Sequence, residues 1–104
     1  MRFGRGRFRD VVRRQLDLFE ADESALLVEA EEADAAWTGA ARDETEELYG
    51  DYQLVVDAIG ERLYDAREAY ASTLDDGVVD EYRAAFDAAA SKRFHRFAGF
   101  LEDD

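Results

Sequence analysis

Apolar residues recur at helical spacing along most of the chain. At about 100° per residue, Phe8, Val12, Leu16, Phe19, Leu26, Ala30, Ala33 and Trp37 share one face. That phase survives the polar stretch Ala21-Asp22-Glu23-Ser24, which favours one continuous helix over about 7–38. A rival reading ends the helix near Glu20 and restarts it with Asp22 as N-cap. Leu48, Tyr52, Val55, Val56, Ile59, Leu63, Ala66, Tyr70 and Leu74 form one broad stripe, the pattern of a core-facing helix over about 43–75. Val78, Tyr82, Ala85, Phe86, Ala89, Phe97 and Phe100 mark a third, shorter helix over about 78–101.

Glycine and acidic residues punctuate these segments at Thr38-Gly39 before Asp43 and at Asp75-Asp76-Gly77 before Val78. Asp43, followed by Glu46 and Glu47, resembles a cap: a side-chain oxygen accepts from a free first-turn N–H while the carboxylates oppose the helix dipole. Short connections make neighbouring helices antiparallel, so the expected architecture is all-α, an up-down-up three-helix bundle with long helices. The third helix is too short to cover the far ends of the first two. An apolar patch at Trp37, Leu48, Tyr49 and Tyr52 then offers a surface for self-association as a homodimer. Gly60, at the edge of the second stripe, permits close helix approach, whereas nothing in the pattern asks for Gly50.

The length of 104 residues is that of one domain, with residues 1–6 expected as a flexible basic arm and 7–104 as the bundle. The absence of proline favours helix, and the absence of cysteine excludes a disulfide scaffold. A net charge of −13 is extreme for this size, and its self-repulsion loosens a compact state at low salt. At about 1 M salt the Debye length is roughly 3 Å, and the same carboxylates keep the surface hydrated without repelling one another strongly. Lys92 is the one lysine among thirteen basic residues. This lysine-poor, acid-rich composition resembles the small acidic cytoplasmic proteins of halophilic archaea, a resemblance that implies an environment and no activity. No apolar run approaches the roughly 18 residues of a membrane span, and Arg13-Arg14 lacks the apolar stretch of an export signal; a cytoplasmic location and no membrane partner are expected.

Catalytic chemistry finds little to work with. Zinc sites draw on Cys and His, and the chain has no Cys and only His95, which the phase turns away from the apolar stripe. Carboxylate-bridged iron bundles require Glu-x-x-His pairs, but Lys92 stands three residues before His95. Ser24, Ser72, Ser91, Thr38, Thr45 and Thr73 are scattered without a matching base, and Gly4 and Gly6 lie among arginines rather than after a strand as a phosphate loop would. Asp75-Asp76-Gly77 lacks the alternating oxygen ligands of a calcium loop. No enzyme activity, metal or cofactor is therefore expected. A small-molecule pocket would have to be built from Tyr49, Tyr52, Tyr64, Tyr70 and Tyr82, whose helical spacing is ordinarily that of core and rim.

Charge is distributed unevenly. Residues 1–14 hold six arginines against Asp10, a net +5 that leaves −18 on the other ninety. Arg2, Arg5, Arg7, Arg9, Arg13 and Arg14 alternate with Phe3 and Phe8, a composition able to grip phosphates and stack on bases or to engage a protein partner. Lys92 and Arg96, with Arg93 and His95, make a second basic cluster. Salt works against purely electrostatic nucleic-acid binding, since about six phosphate contacts lose roughly seven decades of affinity between about 0.15 M and 3 M salt. Within the apolar stripes, Glu23 interrupts the first helix and Arg93 the third, at similar heights if the helices start level, and the two are expected to pair across the core rim. The leading expectation is a non-catalytic cytoplasmic helical interaction module adapted to high salt, with a protein partner not identified by the sequence. The alternative is a nucleic-acid-associated protein acting through its arginine-rich arm.

Overall fold

A computed structural model of the chain describes residues 6–95. All regular structure among them is helical: α1 (Arg9–Asp22), α2 (Ser24–Thr38), a single 3-10 turn (Arg42–Glu44), α3 (Thr45–Ala71) and α4 (Asp76–Arg93). There are thus four α-helices where the hydrophobic pattern predicts three. The difference lies at Glu23, whose φ of −108° and ψ of 25° leave the helical region and separate α1 from α2. Backbone bonds still bridge the break, Glu23 N–H donating to the Phe19 carbonyl at 2.8 Å and Leu27 N–H to the Glu23 carbonyl at 3.0 Å. The apolar phase crosses it for that reason. The rival reading places the break too early, and Asp22 caps nothing: the residue before α2 is Glu23, with no side-chain cap.

Other boundaries shift for local reasons. Asp43 and Glu44 lie inside the 3-10 turn, so the expected cap at Asp43 does not form and α3 starts at Thr45, whose hydroxyl donates to the Ala41 carbonyl at 3.0 Å. α3 stops at Ala71 rather than residue 75. Ser72 and Thr73 turn their hydroxyls back onto the Ala69 and Tyr70 carbonyls at 2.8 and 2.7 Å, a local alternative to continuing the helix. α4 begins two residues earlier than expected and ends at Arg93, with Phe94 at φ −119° outside the helix. The remainder of the predicted third helix, with Phe97 and Phe100, lies outside the described residues, as do residues 1–5 of the arm.

The order of contacts follows from side-chain pairs. Trp37 meets Tyr49 and Tyr52, and Glu23 meets Arg62, so α3 runs back along α2. Arg67 meets Asp87 and Tyr70 meets Tyr82, so α4 runs back along α3. Phe8 lies against Tyr82 and Phe19 against Phe94, which sets α4 parallel to α1. α1, the second half of α3 and α4 therefore share a core, while α2 and the first half of α3 continue as a two-helix extension.

The core is concentrated at the three-helix end. Leu16, Ile59, Leu63, Tyr82 and Phe86 are its largest fully buried side chains with Val12, whereas α2 contributes only Ala30 to the buried set. Tyr82 is its hub. The ring makes an edge contact with Phe8 at 5.5 Å and lies 4.8 Å from Tyr70, and its hydroxyl donates to Gln15 Oε1 at 2.8 Å. Each such side chain contributes about 1.5–3 kcal/mol through burial, so most of the apolar stabilisation sits at one end of the molecule. The shape reflects this: the radius of gyration is 15.7 Å, against about 13 Å for a compact chain of this length, and the long axis is 52 Å against 25 Å across.

Candidate functional site

A groove of about 1270 Å³ runs between α1 and α4 on the outside of the three-helix end. Its α1 wall carries Arg9, Val12, Arg13 and Leu16, with Gly6 at one end; its α4 wall carries Glu81, Ala84, Ala85, Ala88, Ala89, Lys92 and Arg93. Helical spacing explains the lining. Val12 and Leu16 point into the core and present only their flanks, while Arg9 and Arg13, one position or turn away, stand on the rim. Four alanines on consecutive turns of α4 leave a floor with no side chain beyond Cβ. Ala84 and Ala88 are exposed, and Ala85 and Ala89 are half-buried.

The rim is cationic. Arg9, Arg13, Lys92 and Arg93 surround the floor against one carboxylate, Glu81. An ion pair brackets each end: Arg7 to Glu81 at 3.8 Å, and Arg93 to Asp17 and Glu20 at 2.8 and 3.1 Å. The second Glu81 oxygen is buried and accepts no hydrogen bond among the described residues. Arg13 also reaches Asp10 at 3.2 Å, an exposed pair worth little. Among the described residues no ion pair engages Arg9 or Lys92.

The structure thus gathers Arg9, Arg13 and Lys92 around one groove, with Arg7 at its end, although Lys92 lies far along the sequence from the two arginines. Arg14 is exposed and does not line it. Arg2, Arg5 and Arg96 lie outside the described residues. His95 is exposed.

The expected Glu23–Arg93 pair does not form. Glu23 accepts from Arg62 of α3 at 2.6 Å, and Arg93 donates to Asp17 and Glu20. The cause is register: the contacts of Phe8 with Tyr82 and of Phe19 with Phe94 place Arg93 level with residues 17–20, about one helical turn short of Glu23. The helices do not start level: α4 begins at Asp76 and has already run past Glu81 when Tyr82 comes level with Phe8, at the start of α1.

At the opposite end Trp37 stacks on Tyr52 with ring centroids 5.5 Å apart and an 18° tilt, and lies 4.9 Å from Tyr49. Tyr49 is exposed and Leu48 half-buried. These aromatic side chains pack on one another across the two-helix tip.

One network escapes the hydrophobic reading. Arg67, only 5% exposed, is the one buried charged residue among those described. It donates to Asp87 at 2.9 and 3.0 Å and to Glu68 at 2.8 Å, and stacks 4.9 Å from the Tyr64 ring. Glu68 also accepts from Arg83 at 2.8 and 3.0 Å. Burial pulls the Arg67 pKa down, but the carboxylates of Asp87 and Glu68 outweigh it and hold the guanidinium charged. The bonds from Arg83, with those from Arg67, hold the Glu68 carboxyl below its ordinary range despite partial burial. These bonds staple α3 to α4 and close the outer seam between them. The signal was available: Ile59, Leu63, Arg67 and Ala71 follow one another at four-residue spacing down the buried face.

Residues 24–58, which form the two-helix extension, hold ten acids and only Arg42, a net −9. The other residues sum to −4, so most of the net charge resides in the extension, away from the groove. Among the described residues, no helix is long and apolar enough to cross a membrane. No protein-family model, curated protein or solved structure matches this chain.

Proposed function

We propose that the protein is a non-catalytic, cytoplasmic helical interaction module for a salt-rich interior, and that the α1–α4 groove is its principal contact surface. The single observation that carries this reading is the pairing of an alanine floor with a four-cation rim on a chain whose net charge is −13. Small floor residues let another helix approach to the short end of the usual 8–10 Å interaxial range. The rim favours a helix bearing Asp or Glu on the edges of a small-residue face. The aromatic tip at Trp37, Tyr49 and Tyr52 is a secondary surface, the one through which an apolar-end homodimer would form.

Nucleic-acid binding is the weaker reading. The groove gathers cations, which favours phosphate contacts, but among the described residues its lining offers no aromatic ring for a base to stack on. Phosphate contacts from about four cations lose more than four decades of affinity between roughly 0.15 M and 3 M salt.

The test is fluorescence anisotropy with a labelled Ala/Glu-rich helical peptide and a labelled single-stranded oligonucleotide, at about 0.2 M and 2 M KCl. The expected result is peptide binding that persists at the higher salt and is lost in Ala88→Glu, which places a carboxylate on the exposed floor. Oligonucleotide binding that survives high salt, with none of the peptide, contradicts it.

A further inference from the structure

We infer that the occupant of the groove is α2 of a second copy of this chain, bound through its outer face. This rests on the reading of the groove as a contact surface and names what fills it.

The outer face of α2 has the composition the groove asks for. Ala25, Val28, Glu29, Glu32 and Ala36 follow one another at spacings of three, one, three and four, which places them on one side of the helix, and all five are exposed. Val28 is 54% exposed, one of the large apolar side chains left open to solvent. Alanines above and below it leave that face as flat as the floor formed by Ala84, Ala85, Ala88 and Ala89. Glu29 and Glu32 flank it, opposite in sign to Arg9, Arg13 and Lys92.

Charge at the scale of the molecule favours the same pairing. The net −9 of residues 24–58 repels a second copy brought up side by side and in the same sense, because the two acidic extensions would lie together. Setting the extension of one copy against the cationic groove of another separates the acidic ends along a 52 Å axis and brings opposite charges together. Groove and outer face are different patches of the same chain. The contact closes into a two-fold pair when both copies exchange α2, or propagates when they do not.

The experiment is sedimentation velocity on the full chain at about 2 M KCl over a wide concentration range, with two variants and their mixture. Ala88→Glu blocks the groove and keeps α2; Glu29→Arg with Glu32→Arg reverses α2 and keeps the groove. All three positions are exposed, and circular dichroism checks that both variants stay helical. Wild type is expected to associate with rising concentration, and each variant to lose at least about tenfold in association constant through like-charge contact. An equimolar mixture of the two variants is expected to associate again, since each supplies the surface the other lacks.

A monomeric wild type, variants that associate like wild type, or a mixture that stays monomeric each overturn the inference. The second result would move self-association elsewhere, with the aromatic tip first in line. The peptide titration separates failures: a monomeric wild type that still binds acidic peptide, and loses it in Ala88→Glu, keeps the groove as a contact surface and overturns only the second copy as occupant.

Discussion

Gly50 sits inside α3 with open space where a Cβ would go and an ordinary backbone conformation, so nothing in the packing requires it. Gly50→Ala is expected to raise the unfolding midpoint, by a stabilisation of about 0.5–1 kcal/mol measured by thermal or urea unfolding. The buried arginine behaves differently. Arg67→Ala removes the α3–α4 staple together with the stem packing of the side chain, at a cost of about 2 kcal/mol, whereas Arg67→Met keeps the stem and costs about half as much. Glu68 supplies a pH signature. Its carboxyl is held below the ordinary 4.5, so its share of stability is full above that value and is lost as pH falls through the lower folded-state value. Glu68→Gln should therefore flatten the acid limb of the unfolding midpoint against pH. Tyr82 works on the alkaline side: burial, only partly offset by the bond to Gln15, pushes its phenol up to about 12. The unfolded phenol ionises near pH 10, so stability is lost as pH rises from there through the folded value, and the absorbance titration of tyrosinate should show one tyrosine ionising last. Arg67 was legible as a position on the buried face, through its spacing from Leu63 and Ala71. Its partners were not, because they sit on another helix and depend on register.

The four helices differ in how firmly they are held. α1, α4 and the second half of α3 enclose nearly all the buried side chains, while α2 contributes Ala30 and is otherwise half-buried or exposed. Native-state hydrogen exchange should accordingly show α2 and the first half of α3 opening at lower free energy than α1 and α4, as one sub-global unit. Uniform protection across all four would contradict this distribution of the core. The helical nature of the chain was plain in its periodicity, because Phe8 to Trp37 and Leu48 to Leu74 keep one phase over many turns. Two features were not. The break at Glu23 preserves that phase through its flanking backbone bonds, so periodicity is blind to it. The height of α4 against α1 is fixed by how Tyr82 and Phe94 seat on Phe8 and Phe19, and no local signal reports it; assuming level starts produced the Glu23–Arg93 pairing that the structure replaces. The groove was missed for the same reason. Arg9, Arg13 and Lys92 were each visible as cations, but their convergence on an alanine floor follows from α4 running parallel to α1.

At the scale of the whole molecule the protein is a polarised rod, with a three-helix end bearing a groove rimmed by cations and a two-helix extension carrying −9 of the net −13. Repulsion within the extension is screened by salt, so stability should rise with KCl from about 0.1 M to 2 M. Hydrogen exchange should register the gain mainly in α2 and the first half of α3. A rise spread evenly over the chain would place the repulsion elsewhere. On the proposed reading, the groove's apolar floor supplies contact that salt does not screen. The most direct test of its role uses the absence of cysteine: Ala88→Cys gives a single attachment point for an environment-sensitive fluorophore on the groove floor, and Ala69→Cys, exposed on α3, gives a control. Titrated with the acidic helical peptide at about 2 M KCl, the dye at position 88 is predicted to shift to the blue and saturate while the dye at position 69 stays unchanged. An unmoved spectrum at position 88, or equal shifts at both positions, would contradict the assignment of the groove as the contact surface.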